Sequence, residues 1–283
     1  MRSFDPLPED VVEVLVRNAL AEDLGSRGDI TTDAIIPADA KWKGVLVARQ
    51  AGIVAGLDFA QMAFRLMDAS VCFTPKKADG DAVKPGDVLA EVTGTARAIL
   101  TGERVALNCL GHLSGIATAT HQLVEVVKPH KARIACTRKT MPGLRAAEKY
   151  AVWAGGGINH RFGLYDAVLI KDNHIAAAGG LRAAVLKARK AVESEVKVQL
   201  EVDTLEQLQE ALDLPIDAVL LDNMEPAMLK RAVEMVSGRF VTEASGGVTL
   251  ANISAIAASG VDRIAVGWIT HSAPVLDVGL DEG

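Results

Sequence analysis

Aromatic residues are scarce in this chain: Phe, Trp and Tyr together make up 4% of its 283 residues. A core short of rings must be built from Ala, Val, Leu and Ile, which favours helices packed on buried strands over an aromatic-rich β-sandwich. Positive charge is not in excess either. The formal net charge is −6, so no broad electrostatic footprint for nucleic acid or an anionic membrane is expected. No apolar run approaches the roughly 20 residues of a membrane span. Cysteine is sparse and unpatterned: Cys72, Cys109 and Cys136 are odd in number, far apart and nowhere in a C-x-x-C arrangement. That spacing speaks for a reducing cytoplasm and against a structural zinc site, and the three thiols are expected to be buried. The N-terminus, MRSFDPLPEDVVEVL, carries acids where a secretory signal would have its apolar stretch, so no leader is expected. P-loop and G-x-S-x-G patterns are missing as well, which removes the kinase and serine-hydrolase templates.

What is present is ordinary globular material, with 49% hydrophobic and 23% charged residues. A chain of this size buries roughly three quarters of the surface its unfolded form exposes and needs no staples. Residues 9–24 carry an amphipathic helix pattern. Short β-like runs follow at 44–48 and 52–55, then a helical stretch at 58–67. Residues 83–92 read as hairpin-like, with Pro85-Gly86-Asp87 supplying the turn. A lipoyl-type carrier would need a displayed lysine between matching half-repeats, and neither is seen. A long helical pattern then runs from about Arg97 to Val127, interrupted by Gly111 and Gly115.

Beyond it a regular alternation begins. Apolar strand runs at 132–137, 167–170, 196–200, 218–221, 240–242 and 264–266 are separated, from 181 on, by helical stretches at 181–192, 205–212, 226–236 and 250–258. Such alternation means βαβ units and a parallel sheet covered by helices. At least six units suggest barrel-like closure, with a doubly wound sheet as the alternative. Nearly every strand run ends in a charged or glycine-rich group. A barrel keeps its site on that rim, whereas a doubly wound sheet would gather such residues at one switch point.

The strand-end groups are Arg138, Lys139, Lys171, Glu201 and Asp222, and the loop 155–161 adds His160 and Arg161. Gathered on one rim, these cations form a basic pocket in an acidic protein, suited to a multiply charged anion such as a di- or tricarboxylate or a phosphate ester. Ser245-Gly246-Gly247 before a helix starting near Thr249, paired with the strand-end Gly267, is a moderate phosphate signal. Glu201 and Asp222 should face each other across the rim, as an acid/base pair, as oxygen ligands for Mg²⁺, or as acceptors for sugar hydroxyls. Strand neighbours point to opposite sides, so Arg138 and Lys139 should serve different anions.

With these residues named, the chain resembles the quinolinate phosphoribosyltransferase family along almost its whole length. The matching segments include Glu22-Asp23-Leu24-Gly25, Glu103-Arg104-Val105-Ala106-Leu107-Asn108 and Leu113-Ser114-Gly115-Ile116-Ala117-Thr118. More specific are Thr137-Arg138-Lys139-Thr140-Met141-Pro142-Gly143 with Glu148-Lys149, Gly155-Gly156-Gly157 with His160-Arg161, and Lys171-Asp172-Asn173-His174. Leu221-Asp222-Asn223-Met224, Glu243-Ala244-Ser245-Gly246-Gly247 and Thr270-His271-Ser272-Ala273 complete the set. Met141, where the family often has Thr, and Trp268, where a smaller residue is commoner, are departures.

The resemblance implies an N-terminal α/β sandwich domain over 1–110, joined by the tail 271–283, and an open α/β barrel over 111–270. It implies an enzyme that transfers the phosphoribosyl group of phosphoribosyl pyrophosphate (PRPP) to quinolinate, losing pyrophosphate and CO₂ and giving nicotinate mononucleotide for NAD biosynthesis. Arg104, Arg138, His160, Arg161 and Lys171 would face the two carboxylates, while Lys139 and His271 would serve the pyrophosphate. Glu201 and Asp222 would hold the ribose hydroxyls and Mg²⁺, the ion being carried largely through PRPP. Ser245, Gly246, Gly247 and Gly267 would hold the 5′-phosphate, with Thr137, Val266 and Trp268 also lining the substrates. Lys139, Lys171, Glu201 and Asp222 form the implied catalytic set. The implied assembly is a cytoplasmic homodimer with shared sites, or a hexamer of dimers. Two rivals remain. One is a molybdenum-transport-associated relative, disfavoured by Lys171-Asp172-Asn173-His174. The other is a catalytically silent anion-binding barrel, disfavoured by the retained acids and cations.

Overall fold

The computed structural model describes residues 7–283; the N-terminal stretch read against a leader begins in residues 1–6, outside the described residues. In chain order the first part comprises α1 (Glu9–Leu24), α2 (Ile30–Ile35), β1 (Lys41–Ala48), β2 (Gly52–Ile53), α3 (Leu57–Met67), β3 (Cys72–Pro75), β4 (Ala82–Val83), β5 (Val88–Thr95) and α4 (Ala96–Val127). Next come β6 (Arg133–Ala135), α5 (Arg145–Ala154), β7 (Val168–Ile170), α6 (Asp172–Ala178), α7 (Leu181–Ala191), β8 (Val198–Val202) and α8 (Leu205–Ala211). The chain closes with β9 (Ala218–Asp222), α9 (Pro226–Val236), β10 (Val241–Ser245), α10 (Ile253–Ala258), β11 (Arg263–Ala265), α11 (Trp268–His271) and β12 (Val278–Glu282). Two compact units interleave along it. One comprises Met1–His121, Thr140–Gly156 and Ile269–Gly283, and the other Gln122–Lys139 and Gly157–Trp268. A cut at residue 110 falls inside α4.

The first unit holds an antiparallel sheet in the order β12-β1-β5-β3 and a separate two-stranded pair, β2 with β4. α1 turns Val12, Val16 and Leu20 inward at helical spacing, which is why that stretch is helical and docked. The tail returns to this unit: β12 pairs with β1 from Gly44↔Glu282 to Ala48↔Val278. The hairpin expected over 83–92 is corrected. Its turn exists, with the Asp87 N–H donating to the Lys84 carbonyl at 3.1 Å and Gly86 at φ 90°. The strands it joins nevertheless part, β4 pairing with β2, and β5 with β1 and β3. Gly111 and Gly115 do not interrupt α4, which is continuous. A Cβ at Gly115 would lie 2.1 Å from the Pro274 carbonyl oxygen, and one at Gly111 2.9 Å from that of Leu276. These glycines let the tail lie against the helix.

The second unit is an open α/β barrel of six parallel strands in the order β6-β11-β10-β9-β8-β7. From β7 to β11 the strands are neighbours in chain order, and β6 joins β11, so the winding never reverses at a switch point. Among the described residues no ladder joins β6 to β7. The central strands β8, β9 and β10 are buried on both faces; only β9 is a nearly continuous apolar run, whereas β8 carries Gln199 and Glu201 and β10 carries Thr242 and Glu243.

Several boundaries differ from the sequence expectation. β8 runs one residue past Glu201, and β10 continues through Glu243 to Ser245, so Glu243 lies inside the strand and fully buried rather than on the rim. α5 and α6 were not anticipated. α5 buries Glu148 and Lys149 among its alanines, which hides the apolar stripe, and α6 buries nothing. The expectation of three buried thiols holds only for Cys136; Cys109 is half-buried and Cys72 exposed. Burial pushes the Cys109 thiol up to about 11, so it is no thiolate nucleophile near neutral pH.

Candidate active site

The strand ends of the barrel enclose a cavity of about 330 Å³. Nine of the anticipated residues line it: Thr137, Arg138, Lys139, His160, Arg161, Lys171, Glu201, Asp222 and Ser245. Leu169, Leu220 and Ala265 give it an apolar base, and Glu243 joins the lining from within β10. Because β6 ends at Ala135, strand alternation does not govern Arg138 and Lys139. Both line the one cavity, which corrects the expectation that they point to opposite sides of a strand.

One wall is cationic. Arg161 donates to the Ala167 carbonyl through Nη1 at 3.0 Å, while its Nε and that of Arg138 are buried without hydrogen-bond partners. Burial, and then the neighbouring Arg138 guanidinium, push the Arg161 guanidinium below its ordinary range. Two guanidiniums crowded in this way are a ready receptor for carboxylates. The His160 Nε2 lies 2.9 Å from Gln199 Oε1 and 3.4 Å from Glu243 Oε1.

The other wall is acidic. Lys171 follows β7 and its Nζ donates to Glu201 Oε2 at 2.7 Å. Asp222 ends β9, and its Oδ2 accepts from Asn223 Nδ2 at 2.6 Å. Asn223 itself takes a left-handed φ of 53° and donates its N–H to the Ser245 carbonyl at 2.8 Å, tying the β9 and β10 ends together. Gly246 and Gly247 follow at φ 94° and 58°. Asn252 fastens the loop by donating to the Gly247 carbonyl at 2.9 Å and accepting from the Thr249 N–H at 2.8 Å. That turn delays the helix, so α10 begins at Ile253 rather than near Thr249. Val266 is buried and donates its N–H to the Ala135 carbonyl at 2.9 Å, with Gly267 following on. Arg104 and His271 belong to the first unit. Both are exposed, Arg104 on α4 and His271 at the end of α11, where its Nδ1 is hydrogen-bonded to Ser272 Oγ at 2.6 Å.

A model of the quinolinate phosphoribosyl transferase C-terminal domain matches residues 116–281, and one of the N-terminal domain matches residues 29–114. The chain belongs to the quinolinate phosphoribosyltransferase family. Among its relatives is the nicotinate-nucleotide pyrophosphorylase (carboxylating) of Mycobacterium leprae, 44% identical over 279 residues, covering 96% of this chain and 97% of that one. The chloroplastic enzyme of the same name from Arabidopsis thaliana is 42% identical over 287 residues, covering 95% and 82%. The nicotinate-nucleotide pyrophosphorylase structure from Francisella tularensis superposes with a TM-score of 0.94 at 40% identity, covering both chains fully.

Neither departure from the family pattern removes a charged group. Trp268 supports the glycine loop, its indole Nε1–H donating to the Val248 carbonyl at 3.0 Å. Met141 is exposed, and its N–H donates to Glu148 Oε2 at 3.1 Å. Gln199, Asn223, Glu243 and Asn252 were given no role from sequence. The period of two along a strand was the available signal for two of them: Gln199 shares a side with Glu201, and Glu243 with Ser245.

Proposed function

We propose that this chain joins quinolinate to PRPP, expelling pyrophosphate and then CO₂ to give nicotinate mononucleotide. The division of one cavity into a guanidinium wall and a carboxylate wall, in a chain of this family, carries the reading. Both quinolinate carboxyl groups are ionised at neutral pH, given ordinary carboxyl pKa values near 4. Arg138, Arg161 and His160 are assigned to them, with the unmet Nε donors of both arginines waiting on that wall. Ser245, Gly246, Gly247 and Gly267 are assigned to the 5′-phosphate, and Val266 and Trp268 to the walls beside it. Positive-φ glycines let backbone N–H groups approach an anion closely. Lys139 and His271 are assigned to pyrophosphate, and Thr137, whose Oγ1 accepts the Lys139 N–H at 3.0 Å, sets that turn.

As the ring nitrogen bonds to the ribose C1 and the C1–oxygen bond breaks, positive charge grows on the sugar. Glu201 and Asp222 are assigned to stabilise it and to accept from the ribose hydroxyls. Lys171, now paired to Glu201, is shared between that carboxylate and the incoming anion. In the second step the 2-carboxylate leaves as CO₂, its bonding pair stays on the ring carbon, where the adjacent cationic nitrogen stabilises it, and a proton from water then bonds to that carbon. No covalent nucleophile is required of the protein.

Glu201 and Asp222 offer only hard oxygen donors, and among the described residues no cluster of three His, Cys, Asp or Glu could hold an ion alone. These donors fit Mg²⁺ held jointly with PRPP, where the ion would supply neutralisation of the leaving pyrophosphate. Among the described residues no helix is long and apolar enough to cross a membrane. We assign the chain to the cytoplasm, supported by three scattered cysteines with no C-x-x-C spacing, and to a homodimer or larger assembly in which the exposed Arg104 serves the partner's barrel. The test is incubation of purified protein with quinolinate, PRPP and Mg²⁺, which should yield CO₂ and nicotinate mononucleotide and stop on chelation with the fold intact. Nicotinate leaves the buried Nε donors of this half-buried wall unmet, so comparable kcat/KM for nicotinate and quinolinate would refute the assignment of the guanidinium wall.

A further inference from the structure

Beneath the rim lies a second polar layer. Glu243 is fully buried, and neither of its carboxylate oxygens has a hydrogen-bond partner. Gln199 is more than nine-tenths buried, and its Nε2 is likewise unmet. A carboxylate held in this way is costly unless an opposite charge or a donor faces it. What faces it is His160: Nε2 lies 3.4 Å from Glu243 Oε1 and 2.9 Å from Gln199 Oε1. A ring nitrogen between two acceptors carries the hydrogen, because a bare lone pair there would oppose two others in a low dielectric. Packing alone does not hold the ring. His160 and Gln199 also line a second cavity, of about 430 Å³, which opens at the start of the strands beside Val168, Val198 and Ala218. The imidazole therefore stands as a partition between two voids.

We propose that Glu243, seconded by Gln199, is a positioning residue for His160. Gln199 Oε1 takes the Nε2–H and the nearby Glu243 carboxylate holds it there by charge, so the tilt of the ring is fixed and it meets the substrate's carboxylate edge in one orientation. This rests on the reading that the upper cavity takes a pyridine dicarboxylate, and the experiment separates the two.

In ¹⁵N-histidine-labelled, unliganded wild-type protein, long-range ¹H–¹⁵N spectra should show a proton on His160 Nε2, with the signal assigned by its loss in H160N. A bare Nε2 overturns the proposal whatever the substrate is. In steady-state assays, E243Q should raise the KM for quinolinate about tenfold or more while the KM for PRPP stays within about twofold. In an H160A background the same substitution should add nothing, since Glu243 acts through the ring. Independent, multiplying effects of E243Q and H160A overturn the proposal. Should E243Q fail to fold, Q199M replaces it in the same cycle. If the wild type turns over no quinolinate, the functional reading falls, and the nitrogen spectrum still decides the orientation of His160.

Discussion

Replacing Gly246 with alanine should damage the use of PRPP far more than the same change one residue later. Gly246 sits at φ 94°, and a Cβ there would lie 2.1 Å from Asn223 Oδ1 and 3.0 Å from its backbone nitrogen. The left-handed backbone alone costs a non-glycine residue about 1–2 kcal/mol. The contact must also drive the Asn223 amide away from Asp222 Oδ2, losing a charge-assisted hydrogen bond worth about 1.5–3 kcal/mol. Gly247 has φ 58°, and a Cβ there would meet nothing within 4 Å, so G247A incurs only the first of these costs. The difference between the two variants is therefore the second cost. It should appear as a further loss of about 10- to 100-fold in kcat/KM for PRPP at saturating quinolinate. Adding N223A to G246A should cost little more, because the amide has already been displaced, whereas N223A alone should be harmful. If G246A is no worse than G247A, or if N223A and G246A multiply independently, Asn223 is not the link between the glycine loop and Asp222.

G115A should destabilise the protein by about 2 kcal/mol despite alanine's helix preference of about 1 kcal/mol, because the new methyl meets the Pro274 backbone rather than a movable side chain. A raised midpoint in urea unfolding would show that the tail does not lie there. Burial raises the Asp262 carboxyl, but Lys131 and the Thr242 amide and hydroxyl outweigh it and hold the group below its usual range; Lys197 and the Val198 amide do the same for Asp217. Folded values below the unfolded one near 4 contribute stability that is present above that pH and lost as pH falls through the folded values. D262N and D217N should therefore be less stable than wild type at pH 7, and the gap should close as pH falls through the lowered folded values; a gap independent of pH would refute the linkage. Inactive R104A and E201A proteins, mixed and reassociated, should recover about a quarter of wild-type activity if sites are shared across a two-fold dimer, since about half the dimers are mixed with one intact site each. No recovery, with subunit exchange verified, would place Arg104 in its own chain's site.

The barrel was legible because short strand runs alternate with helical stretches and end in charged or glycine-rich groups, so Lys171, Asp222 and Ser245 fall on one rim by pattern alone. Glu201 was placed one residue early, and Glu243 was placed too high because β10 was cut short at Thr242. A buried glutamate inside a strand breaks the apolar pattern used to find the strand. The turn at Pro85-Gly86-Asp87 was visible because turn chemistry is local. The partner of β4 was not, because pairing with β2 is decided by packing elsewhere in the unit. Gly111 and Gly115 read as weak points of a helix, since the chain that needs their missing side chains lies some 160 residues further on. Asn223, Asn252 and Trp268 act through backbone groups of neighbouring loops, which spacing along one chain does not encode.

The return of β12 to β1 has a consequence for how the molecule is made. Synthesis proceeds from the N-terminus, so every strand of the barrel is available before residues 278–282 exist. The sheet begun by β1 waits for them, and Gly44 can meet Glu282 only after the intervening chain has been synthesised. The earliest part of the chain is thus the last to be finished, and its completion carries the entropy of a very long loop closure. Until then one side of β1 presents unpaired N–H and C=O groups, a template for another copy's strand. Loss of β12, residues 278–282, would leave that edge of β1 adhesive.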